Sequence, residues 1–211
     1  MILRSFAIGI LFLCILGTCL SPGQARGDLT EYIKKYRSTA ISAEALGRLE
    51  NYNHLIEYFT SFSYFRPRYR VSADFIRALI LAESGANPDA VSSKNAIGLG
   101  QIILTTGQIA ARDLYSSPTQ FRYVTKERLR DLSREDLFDP ATNILLTCYL
   151  IAKYNLMFDG RLDLVLSAWN AGENTNSLAL GQHAPYQETK ELIGKVNGYY
   201  IYLLKQRGAL R

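Results

Sequence analysis

The sequence predicts a mainly α-helical protein with few or no strands. Three observations carry that expectation. Apolar residues recur at helical spacing in several segments, and no segment alternates with period two for long. Capping residues also stand where the apolar runs begin and end.

In chain order, 27–36 reads as a loose lead-in. From Ala43 to about Tyr64, Leu46, Leu49, Tyr52, Leu55, Ile56, Phe59 and Phe62 keep the spacing of one amphipathic helix. Arg66-Pro67-Arg68 breaks it. Ser72 then suits an N-cap, Asp74 favours the first turn, and Gly85 with Asn87-Pro88 closes the second helix. A Ser-, Asn- and Gly-rich loop runs from Asn87 to Gly100. A short helix over about Thr106 to Leu114 and a polar stretch to Glu135 follow. Asp139-Pro140 opens a long helix to about Phe158, with Asp as cap and Pro at the first position. Another helix covers Arg161 to Trp169 and stops at Asn170-Ala171-Gly172, and the last runs from about Tyr186 to Gln206.

Composition narrows the class. A chain of 211 residues, 48% hydrophobic and 20% charged, suits one globular domain rather than a disordered chain. The net charge of +5 fits an anionic polymer as partner, but lysine and arginine are scattered and form no nucleic-acid motif. No nucleic-acid partner, cofactor or metal is expected. His183 lies in a polar loop with only His54 as a second histidine, so no ligand set forms. Ser84 has no histidine nearby for nucleophilic catalysis.

The start of the chain reads as a secretory leader over 1–25. Arg4 supplies the positive charge, Ser5 to Leu20 the apolar region, and Gly23 and Ala25 the small residues before a cleavage site. Two other readings stay open. One is a retained anchor, although about 16 apolar residues fall short of the ~20 that a span needs. The other is a lipid anchor on Cys19, against which Thr18 speaks. All three make the protein exported, periplasmic or in the cell envelope, with membrane contact only through this segment. Cys148, inside a helix and without an internal partner, reads as a small buried apolar side chain rather than a nucleophile.

Glu83 is the leading candidate for chemistry. It follows Ile76, Leu79 and Ile80 at i, i+3, i+4 and i+7, so a carboxylate ends an apolar helical stripe. Burying an ionised carboxylate is costly, so such an acid is paired, frayed into water, or kept protonated for use. Four further pieces stand downstream: Gly98-Leu99-Gly100-Gln101, Phe138-Asp139-Pro140-Ala141-Thr142-Asn143-Ile144, Ala168-Trp169-Asn170-Ala171-Gly172, and Pro185-Tyr186-Gln187-Glu188-Thr189. Each alone has a bland reading as a turn, a cap or a first-turn acid.

Taken together and in order, with Glu83-Ser84, they resemble the soluble-type (SLT) lytic murein transglycosylases, family-23 glycoside hydrolases with a lysozyme-like fold. The resemblance covers about Val71 to Tyr200. It divides the chain into the leader, an N-terminal helical extension over 26–70, and an SLT domain over 71–207. It implies that Glu83 is the single catalytic acid and that Ser92 contacts the sugar acetamido region. Gln101, Trp169, Asn170 and Glu188 would then serve at a cleft that binds peptidoglycan glycan strands. It further implies cleavage without water and leaves cell-envelope machinery open as a partner. A goose-type lysozyme, which uses the same fold with water, and a non-catalytic peptidoglycan-binding or secretion-associated protein remain the rivals.

Several positions depart from the family pattern. Gly100 stands for the usual Met, which predicts a looser cleft wall. Trp169 stands for a Tyr whose hydroxyl holds the acid. An indole N–H donates but cannot accept, so the orienting contact is open. The segment from Ile102 to Leu137 is longer than the pattern, and Glu173-Asn174 replace Pro-Gly after Ala171-Gly172.

Overall fold

The computed structural model describes residues 22–210, so residues 1–21 of the leader predicted over 1–25, Cys19 among them, lie outside the described residues. Helix α1 spans Pro22–Tyr36, α2 Ala43–Glu50, α3 Asn53–Thr60 and α4 Ala73–Ser84. Two short strands, β1 Ala96–Ile97 and β2 Ile102–Ile103, then form an antiparallel hairpin in which Ala96 faces Ile103 and Ile97 faces Ile102. The remaining helices are α5 Leu104–Ser116, α6 Lys126–Arg130, α7 Pro140–Met157, α8 Leu162–Ala171, α9 Asn176–Ala179 and α10 Gln187–Gln206. The mainly helical expectation holds. None of the described helices is long and apolar enough to cross a membrane.

Helix α7 is the most deeply buried of the described helices. Ile144, Leu145, Leu146, Cys148 and Ile151 are fully buried, on different faces of it, as expected of a helix that is apolar all round. Asp139 caps it by accepting from the Thr142 N–H at 2.9 Å, and Pro140 takes the first position. Helices α3, α5 and α8 lie against α7, and α4 packs on α3 and α10. Burial pushes the Cys148 thiol well above its ordinary range, so it stays a neutral apolar filler.

The expected single helix over 43–64 is two. The chain leaves α2 at Asn51 and turns through Tyr52 at φ −106°, ψ 0° before α3 begins. The turn lets the two short helices serve different neighbours, α2 against α4 and α3 against α7. Asn53 at the start of α3 accepts from Arg77 Nε at 2.8 Å, a tertiary bond that periodicity does not reveal.

The expected lead-in is also corrected, because 27–36 belongs to α1. Its apolar residues Leu29 and Ile33 face Phe75, Leu166, Ile193 and Val196. The helix lies unusually close to α10. A Cβ on Gly194 would stand 2.7 Å from the Tyr32 carbonyl oxygen, and one on Gly198 would stand 2.3 Å from that of Tyr36. Lys35 and Tyr36 further bind the Glu191 carboxylate, at 2.6 and 2.5 Å. A short amphipathic helix is marginal alone, and this docking stabilises it.

Candidate active site

Glu83 sits one residue before the end of α4, with Gly85 as the left-handed C-cap at φ 59°. Ile76, Leu79 and Ile80, the stripe beneath it, are fully buried. The last carbonyls of a helix lack intrahelical partners, and two cations serve them here. Arg48 donates to the Gly85 oxygen through Nε and Nη2 at 3.1 and 2.9 Å, and Lys195 donates to the Ala82 oxygen at 2.7 Å. Ser84 donates to the Leu99 oxygen at 2.8 Å, tying the helix end to the hairpin turn.

The carboxyl is gripped from α8. Trp169 donates its indole N–H to Glu83 Oε1 at 2.7 Å. The contact left open by the Tyr-to-Trp departure is therefore made. Because indole cannot accept, the Glu83 proton belongs on Oε2, away from the tryptophan. Burial raises the Glu83 pKa to about 7, and the nearby Glu188 charge adds to the rise; the Trp169 bond and the Lys195 charge oppose it. The acid is thus poised near neutrality, which suits a group that must both give and take a proton.

The hairpin supplies the facing wall. Its turn is Gly98-Leu99-Gly100-Gln101, closed by the Gln101 N–H to the Gly98 oxygen at 3.1 Å. Gln101 adopts φ 52°, and its amide Nε2 donates to the Gly98 and Ala90 oxygens at 2.9 and 3.1 Å. That leaves Oε1 for a ligand. Ser92 accepts from the Lys94 and Ala96 N–H groups at 3.2 and 3.1 Å, which leaves its hydroxyl hydrogen to donate.

The turn is anchored from below by Asn143, which sequence reasoning saw only as a motif residue. It is 1% exposed, accepts from the Gly100 N–H at 2.8 Å, and donates to the Ile97 and Leu137 oxygens at 2.9 and 2.8 Å.

Gly100 does not loosen the wall, contrary to expectation. A Cβ there would stand 2.2 Å from Thr147 Oγ1, so the volume is already filled by α7. The long segment 102–137 carries β2, α5, α6 and the start of a short 3-10 turn over Glu135–Phe138.

Glu83, Ser92, Gln101, Trp169, Asn170 and Glu188 all line one cleft, together with Lys94, Ile103, Leu150 and Tyr154. Asn170 accepts from the Thr189 hydroxyl at 2.6 Å, joining α8 to the start of α10. Glu188 is exposed on the rim and ion-paired to Lys94 at 2.5 Å. Lys94 and Lys195 were missed from sequence. Lys195 had a legible signal, since it lies two helical turns after Glu188 on the same face.

The cleft thus holds a half-buried acid, gripped by an indole and faced by a glycine-rich hairpin turn. A model of the Transglycosylase SLT domain covers residues 62–192. The chain belongs to this family.

Relatives of the SLT domain agree. A putative soluble lytic murein transglycosylase of Haemophilus influenzae is 27% identical over 194 residues, 82% of this chain and 30% of that protein. Membrane-bound lytic murein transglycosylase C of Shigella sonnei is 35% identical over 112 residues, 50% of this chain and 28% of that protein. The chain thus spans less than a third of the length of either relative. Among solved structures, the 70 kDa soluble lytic transglycosylase of Escherichia coli superposes with a TM-score of 0.57 at 22% identity, over 87% of this chain and 30% of that one. An inactive mutant of lytic transglycosylase Slt from Pseudomonas aeruginosa gives 0.51 at 18%, over 90% and 25%. Both share the lysozyme-like helical fold.

Proposed function

We propose that this SLT domain is a lytic transglycosylase that cleaves the β-1,4 bond between N-acetylmuramic acid and N-acetylglucosamine in peptidoglycan without water. The observation that carries the reading is the state of Glu83: a carboxyl with a pKa raised to about 7, held by the Trp169 N–H at 2.7 Å in a cleft. The other carboxylate lining the cleft, Glu188, is exposed on the rim and bound to Lys94. Two-carboxylate hydrolysis needs a second acid flanking the scissile bond as nucleophile or base, and Glu188 is poorly suited to that.

The substrate supplies the missing group. Glu83 gives its Oε2 proton to the glycosidic oxygen, the C1–O bond breaks, and the glucosamine leaves with that proton. The acetamido oxygen of the muramic sugar holds C1 until that sugar's own C6 hydroxyl attacks. The hydroxyl proton returns to Glu83, the C1–acetamide bond breaks, and a 1,6-anhydro ring closes. The attack is intramolecular, so proximity does the work of a second catalytic group. Ser92, Gln101 and Asn170 would orient the acetamido and neighbouring sugar groups, and Glu188 would meet the glycan at the rim. An exported, periplasmic or envelope location follows from such a substrate.

Digestion of purified sacculi, with mass spectrometry of the products, tests this reading. Anhydro ends that vanish in Glu83→Gln support it. Products heavier by one water would assign a lysozyme-type hydrolase, and murein retention without cleavage a binding protein.

A further inference from the structure

Lys195 is not on the cleft wall, yet it binds the backbone beside the acid. Its ammonium is half-buried on α10 and donates to the Ala82 oxygen at 2.7 Å, the carbonyl of the residue just before Glu83. The other carboxylates on its helix are engaged elsewhere. Glu191, one turn earlier, binds Lys35 and Tyr36 of α1, and Glu188, two turns earlier, binds Lys94 of the loop before β1. The Glu83 carboxylate then acts on Lys195 through space, without a direct ion pair. Gly194 and Gly198 flank it in sequence and hold α1 against α10 at backbone contact, so the helix carrying the ammonium is fixed in place.

We infer that Lys195 is a positioning residue for the acid–base cycle, whose half-buried ammonium stabilises the Glu83 carboxylate formed when the acid gives up its proton. The inference rests on the transglycosylase reading above. A buried cation near an acid lowers the cost of ionising it, and here the cation acts at the moment charge develops. Burial lowers the Lys195 pKa, and the Glu83 charge raises it back, as expected of mutual stabilisation. The other groups facing Glu83 are known. Trp169 from α8 donates to it, Glu188 opposes its ionisation, Tyr154 of α7 lines the same cleft, and Arg48 of α2 serves the Gly85 carbonyl. Among these, Lys195 alone is a cation whose charge favours the ionised Glu83.

A purely structural role would be that of a donor capping the Ala82 carbonyl. Three variants of the full chain separate the two. Lys195→Gln keeps an N–H donor and loses the charge, Lys195→Met loses both, and Lys195→Arg keeps both. The Glu83 carboxyl is titrated by NMR with 13C-labelled glutamate and assigned with Glu83→Gln, so this readout needs no activity. Cleavage of soluble glycan strands gives kcat and KM alongside.

The expected result is an upward shift of the Glu83 midpoint in the Gln and Met variants and its return in Arg. With it comes a roughly tenfold loss of kcat in both neutral variants and a KM held within about twofold, because Lys195 does not touch substrate. An unmoved Glu83 midpoint in folded Lys195→Gln overturns the inference. So does a Gln variant that behaves as wild type while Met does not, which is the signature of a cap alone. The two readings fail separately. Anhydro products with no midpoint shift would reject Lys195 and leave the transglycosylase standing, whereas a midpoint shift without anhydro products would do the reverse.

Discussion

Trp169 and Glu83 meet end-on, indole N–H to carboxyl Oε1 at 2.7 Å, across the seam between α8 and α4. A one-way donor fixes the proton on the opposite oxygen, so the tryptophan sets both the direction and the protonation pattern of the acid. Trp169→Phe removes the donor and keeps the ring's bulk. Its kcat should fall about 100-fold through misdirection of the acid. Loss of the bond should also raise the Glu83 pKa further, since the bond now lowers it. Trp169→Tyr, whose hydroxyl can donate, should recover much of the loss. A pH–rate profile of the three proteins checks both effects.

The raised pKa of Glu83 has a stability cost with a defined sign. The folded value of about 7 lies above the ordinary 4.5, so the folded state binds more protons than the unfolded between those values. Stability contributed by this group is therefore greatest below the ordinary value and falls as pH climbs toward 7. Glu83→Gln keeps an acceptor for the indole and cannot ionise. Its Tm should rise above wild type at pH 8, by the equivalent of about 3 kcal/mol, and the two should converge near pH 4. Thermal melts at the two pH values test this.

Asn143 makes three hydrogen bonds from a fully buried site, all to the hairpin or the turn before α7. Asn143→Ala leaves the Gly100 N–H and two carbonyls unpaired. The cost should be about 2–4 kcal/mol, or a Tm lower by roughly 5–12 °C. Because Ser92 and Gln101 hang on this hairpin, KM for glycan strands should rise as well.

Gly100 and Thr147 share one volume, with 2.2 Å between the threonine oxygen and a Cβ added at the glycine. Gly100→Ala should destabilise by about 1–3 kcal/mol through overpacking. Adding Thr147→Ala should relieve the clash. Denaturant melts of the four proteins in a double-mutant cycle give the coupling, and additive losses would refute the shared volume.

Much of this architecture is written in local signals. The Asp139-Pro140 cap, the Gly85 stop and the Ile76, Leu79, Ile80 stripe place α7, α4 and Glu83 without tertiary knowledge. What stays hidden depends on contacts far apart in sequence. Helix α1 is held by Gly194 and Gly198 more than 150 residues away. The break at Asn51-Tyr52 keeps the apolar period nearly intact, so periodicity reads through it. The hairpin has two-residue strands, too short for alternation to register. Gly100 looked like a gap because the side chain filling it, Thr147, sits on another helix. The spacing of Lys195 from Glu188 is legible, but its bond to the Ala82 oxygen needs α10 laid against the end of α4.

In the proposed cycle one carboxyl, poised near neutrality, serves as acid and then as base. The most direct test is the pH dependence of anhydro-muropeptide release from sacculi, read by mass spectrometry. Glu83 must start protonated, so release should be full below neutrality and decline as pH rises through about 7, with no step in the range of an ordinary carboxylate near 4. A profile that instead rises from an ionisation near 4 and stays flat through 7, or products carrying an added water, would contradict it.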